Sequence, residues 1–376
     1  MKKIAIIGAG ISGMYLANIL KNYKEFDYKI FEKKNNFNFS EGYGIQLSVN
    51  SIKLLNNIGF KQLPISEVNY PSKVNFIQSN NLKKICDIDL TQFNENLNRY
   101  VTLKRSTLLK FLSLNIPKKN IKFSSIITNI EKNNKFEIAL TDNYKDYFDY
   151  VVFADGIFSK TRSMIFEKIL PPRYNESVAL RGNLSGEFGK DISIHMGSNF
   201  HYVIYPVNQS GDYNFVAIIK KKLNPQDLSR DDLFSSDDFL NSLKSILHKS
   251  SPINFKDLIN IKVFPVYISS NFPNSIKKNI FLSGDALFTF PPSFAQGASQ
   301  SIETAQDIFQ CILNGSDDLY KKRIQKISSI NLKSKFNSFS FHLSNPISIF
   351  LRNTILKYLS KNKKFLENYL GKIYRV

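Results

Sequence analysis

Residues 2–22 read KKIAIIGAGISGMYLANILKN. Residues 4–7 form a short, β-branched apolar run, the pattern of a strand buried on both faces. Gly8, Gly10 and Gly13 follow in G-x-G-x-x-G spacing. Met14, Leu16, Ala17, Ile19 and Leu20 then fit a helix packed on a sheet. Gly8 permits a tight turn, Gly10 lets a pyrophosphate approach the backbone, and Gly13 lets helix and strand pack closely. The helix N-terminus offers free N–H groups and a positive dipole end to phosphates. Two lysines before an apolar run also mimic a secretory leader. A second apolar strand at 28–31 decides between the readings. It ends at Glu32, about 20 residues past the glycines, where an acid accepts hydrogen bonds from an adenosine ribose. A dinucleotide-binding turn and an uncleaved, cytoplasmic N-terminus are expected.

The rest of the composition is compatible with that reading. The chain has 376 residues, 43% hydrophobic and 22% charged, and is expected to be globular with a large core or interleaved domains. Cys86 and Cys311 lie far apart with no CxxC or His ligand pattern nearby, so neither a disulfide scaffold nor a metal site is expected. No run of about 18 apolar residues occurs. The net charge is +20, but the lysines are scattered and no nucleic-acid motif accompanies them. A solvated basic surface is expected, with no nucleic-acid partner.

Four further stretches carry chemistry. GYGIQLSVNSIKLLNNIGF (42–60) offers Ser48 as a helix N-cap. LKRSTLLKFL (103–112) sets Arg105 before a leucine-rich helix. YVVFADGIFSKTR (150–162) is a buried strand ending in D-G-x-x-S-x-x-R, with Asp155, Ser159 and Arg162. GDALFTFPPSFAQGASQ (284–300) holds Asp285, then no ionisable side chain before Glu303.

With these motifs in order, the chain resembles the flavoprotein aromatic-ring monooxygenases of the p-hydroxybenzoate hydroxylase type, most closely the salicylate hydroxylase-like branch. The resemblance spans most of residues 1–330. It implies an α/β fold: a Rossmann-like FAD-binding domain, an inserted antiparallel β-sheet substrate domain, and C-terminal helices. The expected division is FAD-binding parts at 1–70, 101–170 and 276–330, substrate-domain parts at 71–100 and 171–275, and C-terminal helices at 331–376. FAD is the implied cofactor, with NADH or NADPH as transient reductant. By resemblance, Gly8, Gly10, Gly13 and Glu32 take the adenosine half, and Arg105 contacts the ribityl and phosphate region. Asp285 meets the ribityl chain or pyrophosphate, and Gly297 and Ala298 lie beside the flavin pyrimidine edge. Asp155 and Arg162 belong to a motif associated with both FAD and NADPH; a helix cap or surface ion pair is the alternative for them.

The implied reaction inserts one atom of O2 into a small aromatic or conjugated ring through a C4a-hydroperoxyflavin. An epoxidase, another oxidoreductase on the same fold, or a non-catalytic FAD-binding redox protein are the alternatives. A flavin halogenase is disfavoured, because that branch uses tryptophans and this chain has none. The chain departs from its relatives at Phe288 and Thr289, where His and then Pro are common, and at Ser299, where Asn is frequent. No catalytic base is identifiable from the missing His.

Residues 171–275 alternate apolar and polar residues between Gly, Asn and Pro, as an antiparallel sheet with one packed face does. Residues 74–90 read as outer strands of the same kind. His201 and Tyr205 share one strand face and are the candidate catalytic side chains. A packed sheet residue is the alternative for each, and His195 is a weaker candidate. Arg181, Phe215, Phe288 and Pro292 are the candidate substrate-pocket residues. Beyond residue 330 the chain reads as helical with a break at Asn345-Pro346. A basic amphipathic stripe (Ile349, Phe350, Leu356, Leu359) follows; it is expected to pack on the chain itself, and membrane contact is not expected. A monomer or homodimer is expected.

Overall fold

The computed structural model describes residues 1–37, 39, 43–249, 257–273 and 277–375. Gly42, which opens one of the motifs above, lies outside the described residues.

A parallel five-stranded sheet gathers three distant parts of the chain. Its order is Ile280–Leu282, Tyr150–Phe153, Lys2–Ile7, Phe26–Phe31, Ile121–Lys122. Ile4 pairs with Tyr150 on one side and Tyr28 on the other, and Val151 pairs with Ile280. The inward positions of the central strands are apolar because helices cover the sheet. Ile4, Ile6, Val152 and Phe153 are fully buried. The helix Ile11–Leu20 follows the glycine turn and packs against the helices Gly297–Asn314 and Arg105–Leu114. An ion-pair network fixes Gly297–Asn314 to the next helix, Asp318–Phe341. Arg323 pairs with the buried Glu303 and, at 2.7 Å, with Asp307; Lys326 reaches Glu303 at 2.9 Å. A buried pair is costly to break, because the survivor is left charged without a partner. The network therefore holds the long helix in one position.

The second layer is a seven-stranded sheet. Its order is Ile259–Ile268, Arg173–Ser185, Asp212–Lys220, Phe200–Pro206, Ile192–Gly197, Lys73–Gln78, Lys84–Asp89. The pairings are antiparallel except Ile192–Gly197 with Lys73–Gln78, which run parallel. Residues 74–90 thus supply its outer strands.

The expectation of one packed face is corrected here: both faces are covered. The helix Asp237–His248, capped by the Ser236 hydroxyl, lays Phe239, Leu243 and Leu247 on the outer face. There they join Tyr202, Ile204 and Phe215. The inner face contributes Ile192 and Tyr205 to the main core.

The C-terminal helices break where expected. Asn345 accepts the N–H groups of Ile347 and Ser348, and Pro346 opens the helix Pro346–Leu359. Its apolar stripe is only partly covered, which corrects the expectation of self-packing. Ile349, Leu356 and Leu359 are half-buried, but Phe350 is exposed and Arg352 is the buried residue. Arg352 turns inward because its guanidinium finds the Ser340 carbonyl at 3.1 Å. Among the described residues no helix is long and apolar enough to cross a membrane.

Candidate active site

The glycine turn connects the strand Lys2–Ile7 to its helix as the spacing predicts. Gly8 has φ +105, and a Cβ there would lie 2.5 Å from the Ala154 carbonyl oxygen. A Cβ on Gly13 would lie 2.1 Å from the Gly8 oxygen, so helix and turn touch only with glycine there. Glu32 closes the other side of the turn. Its Oε2 accepts the Ala9 N–H at 2.8 Å and its Oε1 accepts the Lys34 N–H at 3.0 Å. The carboxylate is thus held beside the turn before any ligand arrives.

Two motifs distant in sequence meet at the end of the sheet. Arg162 is buried; its Nη1 donates to the Ala286 carbonyl at 2.8 Å and its Nη2 to the Ile157 carbonyl at 3.0 Å. Asp155 accepts the Thr161 hydroxyl at 2.7 Å. Burial pushes the Asp155 carboxyl up, against the Ser159 and Thr161 hydroxyls and the Arg162 charge. Neither the surface ion pair nor a simple helix cap describes Arg162, which straps its loop to the G-D-A segment.

Asp285 is the middle residue of that segment and is reached by solvent. Burial raises its carboxyl, while the Thr289 hydroxyl and the charge of Arg105 oppose the rise. The Arg105 charge therefore acts on the Asp285 carboxyl. Arg105 is the first residue of its helix, and its N–H bonds the Tyr43 carbonyl at 2.8 Å. Gly284 abuts Ser12 of the first helix, whose hydroxyl bonds that of Ser283. The G-D-A segment is thereby tied to the glycine turn.

The helix Gly297–Asn314 begins in open space. Gly297 is exposed, a Cβ on it would meet no atom within 4 Å, and no side chain caps the helix. Its first N–H groups and positive dipole end remain available to a ligand. Ala298 is half-buried beside Gly297.

The strand Gly44–Leu47 spans the distance from this helix to the seven-stranded sheet. At one end the Gly44 N–H donates to Asn214 Oδ1 at 2.6 Å. At the other, the Ser48 N–H donates to Ser299 Oγ at 3.1 Å. Ser48 stands at the expected cap position, but its hydroxyl bonds Asn50 and Ser299 rather than the helix backbone. Between these ends, Gln46 accepts the Tyr100 hydroxyl at 2.9 Å. Gln46 and Asn214 both hydrogen-bond Tyr205, and the Arg181 charge reaches the same phenol. Arg181 also lies over the Tyr43 ring, 5.8 Å from its centroid. Tyr374, near the chain's C-terminus, packs on Tyr100 at 5.8 Å between ring centroids. Burial pushes the phenols of Tyr100, Tyr205 and Tyr374 well up, so all three stay protonated at neutral pH.

The structure separates the other sequence candidates from this cluster. His201 shares the inner face with Tyr205 but lies four residues away, about 13 Å along a strand. It is buried with its Nδ1 2.7 Å from His342 Nε2 and its ring on Phe341. Phe215 is fully buried on the outer face, against Tyr202. The inner face of that strand carries its neighbour Asn214, which accepts the Gly44 N–H. His195 stacks on Tyr202, 4.5 Å between centroids. Phe288 is buried against Phe272 at 3.9 Å, and Pro292 is exposed. Sequence reasoning missed Gln46, Tyr100, Asn214 and Tyr374. No local pattern marked them.

These residues fit FAD. Gly10 has no atom nearer than 3.8 Å to a Cβ position, so the turn leaves room for a pyrophosphate. Glu32 is held beside the turn, the Arg105 charge acts on Asp285, and the helix Gly297–Asn314 starts uncapped in open space.

The comparisons agree. No protein-family model matches the chain. The 3-amino-4-hydroxybenzoate 2-monooxygenase of Streptomyces cremeus is 22% identical over 324 residues, covering 82% of this chain and 78% of that protein. The salicylate hydroxylase of Pseudomonas putida is 22% identical over 249 residues, covering 60% and 56%. Among solved structures, HpxO of Klebsiella pneumoniae, complexed with FAD and uric acid, superposes with a TM-score of 0.81 at 16% identity, covering 99% of this chain and 96% of that one. A salicylate hydroxylase substrate complex gives a TM-score of 0.78 at 16% identity, covering 99% and 95%. The fold is that of FAD-dependent hydroxylases, and relatives spanning most of the chain are named FAD-dependent monooxygenases and hydroxylases. More narrowly, its homologues and structural neighbours are FAD-dependent aromatic hydroxylases.

Proposed function

We propose that the protein uses NADH or NADPH and O2 to hydroxylate a small aromatic or conjugated ring. The ring is held between the N-terminus of Gly297–Asn314 and the inner face of the seven-stranded sheet. The observation that carries this reading is the strand Gly44–Leu47. Bonded to Asn214 at one end and Ser299 at the other, it links the group Gln46, Tyr100, Asn214 and Tyr205 to that helix.

Bound FAD would pass the electrons of NADH or NADPH to O2 and supply the oxygen activation. The chain's own groups do the rest. Gly8, Gly10, Gly13 and Glu32 hold the adenosine half, and Arg105 and Asp285 hold the chain that links it to the ring system. The first N–H groups of Gly297–Asn314 favour negative charge at the edge they face. Phe288, Phe290 and Phe294 are buried and form an apolar surround that limits water.

On the substrate side, Tyr205 acts as a hydrogen-bond group and not as a base, because its proton is held by burial. Arg181 supplies a cation that draws an anionic substituent of the ring. His201, closed off with His342, takes no part in this reading.

The test is a screen of aromatic acids, phenols and N-heterocycles for stimulated NADH or NADPH oxidation, with product analysis. The expected result is a yellow protein, faster oxidation with one ligand class, and an oxygenated product. Bound flavin that neither pyridine nucleotide reduces would overturn the reading.

A further inference from the structure

The helix Pro346–Leu359 is apolar on two faces, and the protein covers one of them. The covered side, with Arg352, Leu356 and Leu359, turns toward the strand Lys84–Asp89. The other side leaves Ile347 71% exposed, Phe350 69%, Leu351 53%, Ile355 54% and Tyr358 70%. At about 100° per residue these five side chains span an arc of about 140°. The preceding helix, Asp318–Phe341, does the same on a smaller scale. Leu332, Phe336 and Phe339, spaced i, i+4, i+7, are 66%, 62% and 64% exposed. One exposed leucine is ordinary, but this many large apolar side chains on two successive helices mark a surface that meets something.

The charge of the same stretch says what it meets. Residues 319–366 contain eleven Lys and Arg and no Asp or Glu. Lys335, Lys357, Lys361, Lys363 and Lys364 are exposed. A second copy docked on this face would bring two such stretches together without countercharge. An anionic lipid surface supplies both the countercharge and an apolar layer. The 14-residue helix is about 21 Å long at 1.5 Å per residue, too short to cross a bilayer of about 30 Å. It suits a helix lying in the plane of the interface, with Phe350 and Tyr358 among the headgroups. We infer that the helix Pro346–Leu359, assisted by the exposed face of Asp318–Phe341, seats this protein on an anionic membrane surface.

The experiment uses the FAD-loaded full chain, sedimented with vesicles of phosphatidylglycerol and phosphatidylcholine or of phosphatidylcholine alone. Partition onto the anionic vesicles is expected to exceed that onto neutral ones by about ten-fold or more. It is expected to weaken as salt rises from about 0.1 M to about 1 M. Combining Phe350→Ser, Ile355→Ser and Tyr358→Ser should abolish it with the flavin spectrum unchanged, since all three side chains point to solvent. Three results would each overturn the inference. The protein stays in the supernatant with anionic vesicles; the triple variant binds as well as its parent; or light scattering shows a dimer that the substitutions dissociate, without vesicle binding.

Discussion

Arg162 Nη1 donates to the carbonyl of Ala286 at 2.8 Å, joining the D-G-x-x-S-x-x-R loop to the G-D-A segment. The same guanidinium holds Ile157, so one buried side chain sets the position of both motifs. Arg162→Ala is expected to cost about 2–4 kcal/mol, because a buried and a part-buried carbonyl lose charge-assisted partners. FAD affinity should fall as well, since Asp285 sits one residue before Ala286. Denaturant unfolding and flavin-fluorescence titration check the two effects separately. Arg162→Lys should recover part of each, having fewer donors for two acceptors.

Asp285 should behave differently, because it is reached by solvent and its carboxyl is already pushed up. Asp285→Ala removes a charged group facing the cofactor, so FAD binding should weaken by about 1.5–3 kcal/mol, roughly 10- to 100-fold. The unfolding midpoint of the flavin-free protein should stay the same or rise. A lost fold would count against a cofactor role, as would unchanged FAD affinity.

Glu32 carries the adenosine end. Glu32→Ala leaves the Ala9 and Lys34 N–H groups without their acceptor and loosens the glycine turn. The expected outcome is weaker FAD binding of about 1–3 kcal/mol with the flavin absorbance of the loaded protein preserved. A changed spectrum would mean that Glu32 acts near the ring system instead.

The contrast between these residues and the sheet residues explains what could be read from the chain alone. At Gly8 and Gly13 backbone contacts exclude any side chain, so spacing carries the structure directly. Glu32 was legible because it ends a strand at a fixed distance from that turn. Phe215 and Asn214 were not. Alternation shows that neighbouring side chains point to opposite faces, but not which face is which. Here the outer face is also apolar, filled by Phe239, Leu243 and Leu247, so hydrophobicity at Phe215 favoured the wrong side. Tyr374 and Tyr100 meet only through folding, and no local pattern marks either. In the helix Pro346–Leu359 the apolar pattern is itself double: Ile349, Leu356 and Leu359 are half-buried, while Ile347, Leu351, Ile355 and Tyr358 form a second, exposed face.

Tyr205 tests the substrate side. Tyr205→Phe keeps the ring and its packing but removes a hydroxyl bonded to Gln46 and Asn214. The KM for the ring substrate should rise about 10-fold, equal to about 1.4 kcal/mol, a typical value for one buried hydrogen bond. The flavin spectrum and the NAD(P)H-driven reduction without substrate should be unchanged. A loss of bound FAD would instead assign Tyr205 to the cofactor site.

The last prediction concerns the buried pair His201 and His342. Burial holds both imidazoles neutral: His201 is pushed well below its usual range, with His342 adding to the effect, and His342 is pushed down to about 4, with the Lys220 charge adding to it. Both groups bind protons more readily in the unfolded chain than in the folded one. Their contribution to stability is therefore complete above pH about 6.5 and is lost as the pH falls from there toward about 4. Asp155 and Asp285 act in the opposite sense, because their folded carboxyls are raised and favour the fold on acidification. A comparison of variants removes that background. His342→Phe deletes one titrating group, so its unfolding free energy should fall less steeply between pH 6 and pH 5, by about 1.4 kcal/mol per pH unit, than that of the parent. Urea unfolding at a series of pH values measures the slope. Equal slopes would mean that His342 is already protonated in the native protein, and that its contact with His201 is not a neutral hydrogen bond.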